Sequence, residues 1–121
     1  MSLTILAIDD SSTMRRLVKM TLASCGYEVE VAEDGVDGLE KLDDVRPDLV
    51  ITDINMPRLD GFGVIEGVRR HPTYNKIPIL TLTTESAAEL KQRARDAGAS
   101  GWIVKPFDKD KLLRAIKRVL G

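Results

Sequence analysis

Asp9, Asp10, Asp53, Thr83 and Lys105 combine reactive chemistry with a shared position. Each stands just past the carboxyl end of a short apolar run: Leu3–Ile8, Leu49–Ile51, Ile77–Leu82 or Trp102–Val104. Carboxylates, a hydroxyl and an ammonium group converging in one crevice describe a phosphoryl-transfer site. One carboxylate attacks phosphorus and becomes an acyl phosphate, while a cation and a lysine neutralise the equatorial oxygens. Three carboxylates about 5 Å apart, at an effective dielectric of about 20, repel by roughly 3 kcal/mol per pair. The total is on the order of 10 kcal/mol, comparable with a domain's whole stability of about 5–15 kcal/mol. One lysine does not offset that. An all-oxygen, partly open site suits a hard cation that keeps waters and takes phosphate oxygens, and Mg²⁺ fits best.

Asp53 is the best nucleophile candidate, because its strand lies between Asp10 and the Thr83–Lys105 side. A hydroxyl at Thr83 can bond the new phosphoryl group, a contact absent before reaction, which is what a switch requires. Each residue also has an ordinary reading. Asp9 and Asp10 suit a turn and a helix cap, Asp53 can simply end a strand, and Thr83 can cap a helix near Glu85. Lys105 before Pro106 suits a solvated loop. Singly, those readings win; five such residues at strand ends outweigh them.

The elements that must position these groups alternate in type. Leu3–Ile8 is an apolar run stopped by two aspartates and reads as a strand buried on both faces. Met14, Leu17, Val18, Thr21, Leu22 and Cys25 recur at helical spacing, with Ser11 or Ser12 as N-cap and Gly26 as the stop. Tyr27, Val29 and Val31 alternate with Glu28 and Glu30, the period of a strand near a sheet edge. A short helix over Asp34–Asp43 precedes Pro47, and Leu49–Ile51 is a buried strand. Turn chemistry at Pro57 and Asp60-Gly61 leads to a helix carrying Phe62, Ile65 and Val68. Ile77–Leu82 predicts a strand, Glu85–Ala97 a helix closed by Gly98, Trp102–Val104 a strand, and Leu112–Leu120 an amphipathic helix. Five strand–helix alternations imply an α/β fold: a five-stranded parallel sheet, doubly wound, with helices on both faces. Ligands of such sheets bind beyond the carboxyl ends of the strands.

Composition bounds the class. At 121 residues, with 43% hydrophobic and 31% charged residues, residues 1–121 read as one folded domain. The lone Cys25 excludes an internal disulfide or a multi-Cys zinc site and fits a reducing, cytoplasmic setting. Lys and Arg total 18 against 19 Asp and Glu, so no basic footprint for nucleic acid exists, and no apolar run is long enough for a membrane span. Charge is nonetheless uneven. Glu28 to Asp60 holds eleven acids against three bases, and Lys105 to Arg118 six bases against two acids. Charge runs are usually solvated faces, and a partner surface near the C-terminus is the other reading. His71 reads as an exposed residue at a helix C-terminus, and Cys25 as core. Gly61-Phe-Gly63 is no dinucleotide fingerprint, and no phosphate-binding glycine loop follows the first strand.

Four blocks carry a family resemblance: Asp9-Asp-Ser-Ser-Thr-Met-Arg-Arg16, Asp53-Ile-Asn-Met-Pro-Arg-Leu-Asp-Gly61, Thr83-Thr-Glu85 and Lys105-Pro-Phe107. With their intervals, they make the chain resemble the receiver domain of two-component response regulators, from Leu3 to Leu120. More narrowly, it resembles single-domain chemotaxis regulators of the CheY type, including alphaproteobacterial paralogues. The resemblance, not the sequence pattern, supplies the flavodoxin-like strand order 2-1-3-4-5. It implies Asp53 as phosphoacceptor, Asp10 as a direct Mg²⁺ ligand, Asp9 acting through a metal-bound water, and the Asn55 carbonyl as a further ligand. Lys105 would contact a phosphoryl oxygen, Thr83 would be the switch hydroxyl, and Lys105-Pro106 would be cis. The implied phosphodonor is a chemotaxis-type histidine kinase. Asn55 and Glu85 occupy the two positions that set the dephosphorylation rate, in the pairing of fast-cycling regulators.

Two positions depart from the pattern. Trp102 replaces the usual Tyr or Phe; it is bulkier and has only an N–H donor, so inward rotation and simple packing at the sheet edge both stay open. Thr84 stands where a smaller residue is common, which raises crowding of the phosphoryl group. The implied function is a monomeric cytoplasmic switch, not an enzyme acting on another substrate. Its output is a protein contact, either with the flagellar motor switch or in a phosphate-sink role. A phosphorylation-independent binding module is the alternative, although such modules usually lose the acids or the lysine. An aspartyl-phosphate hydrolase would need a second acid at Asn55.

Overall fold

A computed structural model of the chain describes residues 2–121. The order is β1 (Thr4–Ile8), α1 (Ser12–Ala23), β2 (Glu28–Ala32), α2 (Gly35–Glu40), α3 (Leu42–Val45), β3 (Leu49–Thr52), α4 (Gly61–Arg70), β4 (Ile79–Thr83), α5 (Ala88–Ala97), β5 (Gly101–Val104) and α6 (Lys109–Leu120). All four strand pairings are parallel, in the order β2-β1-β3-β4-β5. This is the doubly wound, flavodoxin-like arrangement that the resemblance implied.

Alternation along the inner strands sends side chains to two cores. Leu6, Ile8, Val50 and Ile79 pack with Leu42, Phe62, Ile65, Val68 and Ala94 beneath α3, α4 and α5. Ile5, Ala7, Leu49, Ile51, Leu80 and Leu82 pack on the opposite face with Val18 and Leu22 of α1 and Leu112 and Ile116 of α6. β3 and β4 are buried at every residue, which is why they read as continuous apolar runs. Each fully buried Leu or Ile contributes about 1.5–3 kcal/mol. Among the described residues, no buried side-chain polar atom lacks a partner.

The helix starts follow from capping chemistry. Ser11 caps α1 by accepting from the Met14 N–H, Asp34 caps α2, Asp60 caps α4 and Asp108 caps α6. Several sequence expectations are corrected. The helix expected over Asp34–Asp43 is two short helices, because the chain turns at Lys41, whose ammonium bonds the Val31 carbonyl. The helix expected from Glu85 starts at Ala88, so Glu85 belongs to the preceding loop. β4 starts two residues later than expected and ends on Thr83. Leu17 is 47% exposed: Met14, Val18 and Leu22 face the core, and Leu17 lies one residue off that stripe. Cys25 lies beyond the end of α1 and is only half-buried. His71 is half-buried as well, with Nε2 bonded to Asp43 and Nδ1 accepting from the Thr73 and Tyr74 N–H groups. No helix among the described residues is long and apolar enough to cross a membrane.

Candidate phosphoryl-transfer site

Sheet register brings the reactive groups together. Ile8 pairs with Thr52 and Thr52 with Thr81, so the next residues of the inner strands emerge side by side. The Asp53 N–H donates to the Ile8 carbonyl at 3.0 Å, which fixes Asp53 beside Asp9. On the other side, the Lys105 N–H donates to the Thr83 carbonyl at 2.7 Å. The Lys105-Pro106 bond is cis, as the resemblance implied.

The Lys105 ammonium donates to Oδ2 of Asp9 at 2.7 Å and to Oδ2 of Asp53 at 2.8 Å. The second oxygens of both carboxylates are held by backbone. Oδ1 of Asp9 accepts from the Ser11 N–H, and Oδ1 of Asp53 from the Ile54 N–H at 2.6 Å. Asp9 and Asp53 are buried, while Asp10 is exposed and opens the site on one side. Burial alone would push the Lys105 ammonium down. Its bonds to Asp53 and Asp9, with their charges, more than offset this and hold it above the ordinary 10.5 of lysine.

One oxygen from each of Asp9, Asp10 and Asp53 lies within 4.8 Å of the others. Three carboxylates facing one ammonium leave the cluster with a net negative charge. An all-oxygen donor set open to water on the Asp10 side therefore fits Mg²⁺. Asn55 is exposed on the loop after β3, two residues beyond Asp53.

Thr83 is fully buried, and its Oγ1 accepts from the Glu85 N–H at 3.3 Å. The Glu85 carbonyl accepts from the indole N–H of Trp102 at 2.9 Å, and the Glu85 carboxylate from the Asn55 amide at 2.9 Å. Thr83, Glu85, Asn55 and Trp102 thus form one hydrogen-bonded chain across the two loops that flank Asp53. Thr84 is exposed. Spacing alone assigned no role to Arg15, yet its guanidinium donates to the Asp9 carbonyl at 2.8 Å. The only signal was a base on the first turns of α1, close behind the two aspartates.

Residues 5–117 match the family model described as the response regulator receiver domain. The chain is 43% identical to chemotaxis protein CheY1 of Helicobacter pylori over 119 residues, covering 97% of this chain and 96% of that protein. It is 36% identical to protein PilG of Pseudomonas aeruginosa over 115 residues, covering 95% and 85%. Among solved structures, chemotaxis protein CheY4 of Vibrio cholerae superposes with a TM-score of 0.94 at 44% identity, covering 98% of this chain and 99% of that one. The receiver domain of sensor histidine kinase PA1611 from Pseudomonas aeruginosa superposes with a TM-score of 0.91 at 26% identity, covering 100% and 99%. That structure has a magnesium ion coordinated in its active-site cleft. Matched over nearly its whole length by the family model and by single-domain chemotaxis regulators, the chain belongs to the response regulator receiver domain family.

Proposed function

We propose that this protein is a phosphorylation-driven switch of a chemotaxis-type two-component pathway, with Asp53 as phosphoacceptor. The observation that carries the reading is the buried Asp53 carboxylate held by Lys105 beside Asp9 and Asp10. In the transfer step an oxygen of Asp53 bonds to phosphorus while the bond from phosphorus to the donor's imidazole nitrogen breaks. The electron pair leaves on the donor. Lys105 then turns its ammonium from the carboxylates to a phosphoryl oxygen. Asp10, Asp53 and the Asn55 carbonyl, with Asp9 through a water, would hold Mg²⁺, which when bound would supply positive charge to the oxygens of the transferring group. The phosphodonor is a chemotaxis-type histidine kinase, in the cytoplasm. The protein catalyses only its own phosphorylation and dephosphorylation.

The chain from Thr83 to Trp102 carries the signal outward. The Thr83 hydroxyl donates to the phosphoryl group, and the movement of Oγ1 toward phosphorus stretches the already long 3.3 Å bond that it accepts from the Glu85 N–H. The loop that accepts from Trp102 is then free to shift. Trp102 lines a groove between β5 and α6 that also holds Lys111, Arg114 and Arg118. Lys109 and Lys117 add further exposed charge on α6. That basic face of α5, β5 and α6 suits a protein partner, either a flagellar motor switch protein or a kinase served as a phosphate sink. Thr83→Ala is expected to accept phosphoryl groups yet to abolish the change in fluorescence of Trp102, the single tryptophan. Stopped-flow fluorescence checks this, and a wild-type response in the variant would sink the relay.

Intact-protein mass after incubation with acetyl phosphate and Mg²⁺, with rapid quenching, tests the reading as a whole. One phosphoryl adduct that needs Mg²⁺ supports the switch. No adduct, with Mg²⁺ binding intact, would leave a phosphorylation-independent binding module. With Asn55 and Glu85 at the rate-setting positions, the adduct is expected to be short-lived, and a lifetime of hours by the same measurement would contradict that pairing.

A further inference from the structure

The loop between β3 and α4 carries Asn55, and a charged pair outside the acidic cluster holds that loop in place. Arg58, at its apex, donates from Nε to Oδ2 of Asp34 at 2.8 Å and from Nη2 to Oδ1 at 3.0 Å. This is a two-pronged bond of the kind that fixes orientation as well as distance. Asp34 is buried and already engaged as the cap of α2, accepting from the Asp37 N–H at 2.8 Å. The anchor is therefore rigid, while Arg58 remains 53% exposed.

The backbone around Arg58 needs such an anchor. Arg58 has φ +67, an uncommon left-handed conformation for a residue with a Cβ. Next to it, Leu59 packs its backbone directly against Gly35 at the start of α2, where a Cβ would overlap the Leu59 carbonyl. The other end of the loop is closed by the Gly61 N–H donating to the Ile54 carbonyl at 2.8 Å, with Gly61 packed on the Asp53 carbonyl. Between these fixed points lie only Asn55, Met56 and Pro57. Arg58 and Asp34 thus hold the far end of the short segment that carries the Asn55 carbonyl.

We propose that the Arg58–Asp34 clasp positions the Asn55 carbonyl for the divalent cation, and so sets the cation affinity of the phosphorylation site. This role rests on the receiver reading of Asp53 given above. Arg58 and Asp34 are positioning residues, which touch neither phosphorus nor metal.

Arg58→Gly separates the clasp from the turn, since glycine keeps the left-handed conformation without strain. Arg58→Lys keeps the charge but loses the two-pronged geometry. Titration calorimetry with Mg²⁺ alone on the folded proteins is the measurement. Both variants, and Asp34→Asn, are expected to bind Mg²⁺ about tenfold more weakly, the lower end of losses seen when groups orienting metal ligands are removed. Their phosphorylation by acetyl phosphate is expected to need correspondingly more Mg²⁺ and to recover at saturation. A merely structural clasp would lower the melting temperature and leave the Mg²⁺ affinity of the folded protein unchanged. Affinities within twofold of wild type in Arg58→Gly would overturn the role while leaving the receiver reading intact. Wild-type protein that binds no Mg²⁺ would overturn both.

Discussion

Asp53→Asn is expected to take up no phosphoryl group from acetyl phosphate in the presence of Mg²⁺. The amide is nearly isosteric with the carboxylate, and its oxygen can still accept from the Ile54 N–H as Oδ1 does now. The variant should therefore fold. What it lacks is the charged oxygen pair that attacks phosphorus, and a neutral amide is no substitute. The loss should be at least about 10³-fold in rate, as expected when a reacting nucleophile is removed. Rapid-quench mass spectrometry of wild type and variant side by side is the measurement. Phosphorylation of the variant at the wild-type rate would show that another residue is the acceptor.

Lys105→Met should have opposite effects on chemistry and cation binding. Without the ammonium, no donor from β5 meets the transferring phosphoryl group, and the phosphorylation rate should fall about 10²-fold. The same change removes the cation that now neutralises Asp9 and Asp53, so Mg²⁺ should bind more tightly than in wild type. Breaking a fully buried pair from one side costs about 3–5 kcal/mol, and the open Asp10 side reduces this here to about 2 kcal/mol. That loss should be largest without divalent cation and shrink as Mg²⁺ is added.

The pH dependence has a definite sign. Burial lowers and the bonds to Asp53 and Asp9 raise the Lys105 value, and the net folded value lies above 10.5. A group whose pKa is raised by folding stabilises the fold fully below its unfolded value and loses that contribution as pH rises through the folded value. The wild-type advantage over Lys105→Met in urea melts should thus be constant at neutral pH and vanish in alkali. A gap that persists well above the lysine range would contradict the pairing, as would a variant with weakened Mg²⁺ binding.

The positions of Asp9 and Asp53 were legible because β1 and β3 are buried on both faces, and Lys105 was legible because β5, though only half-buried, is also an apolar run. Such strands appear in sequence as apolar runs, and the first charged residue after each marks its end. The cluster followed from topology once the strand order was supplied by resemblance. Side-chain pairing was not legible. Nothing local shows that Arg58 reaches across 24 residues to Asp34, or that Arg15 folds back onto the Asp9 carbonyl. Helix boundaries failed where periodicity continued past the element. Leu17 fits an apolar stripe but sits at its flank, and Glu85 fits a helix start although the Thr83 hydroxyl and Trp102 hold it in a loop. The basic run after Lys105 was visible by counting, but only the fold places it along a groove beside Trp102.

The bond between Lys105 and Asp9 joins residues 96 apart in the chain. During synthesis the three carboxylates emerge long before the lysine that offsets them. A nascent chain that has docked β1 and β3 therefore carries an uncompensated acidic cluster until β5 closes the sheet. Any ligand that binds the native state and not the unfolded chain shifts the balance toward folding. A divalent cation held by the three carboxylates would offset that charge until Lys105 arrives. The same separation makes the reactive centre a report on the integrity of the whole chain. Lys105 follows the edge strand β5, so loss of that strand from the sheet would withdraw the ammonium from both carboxylates at once.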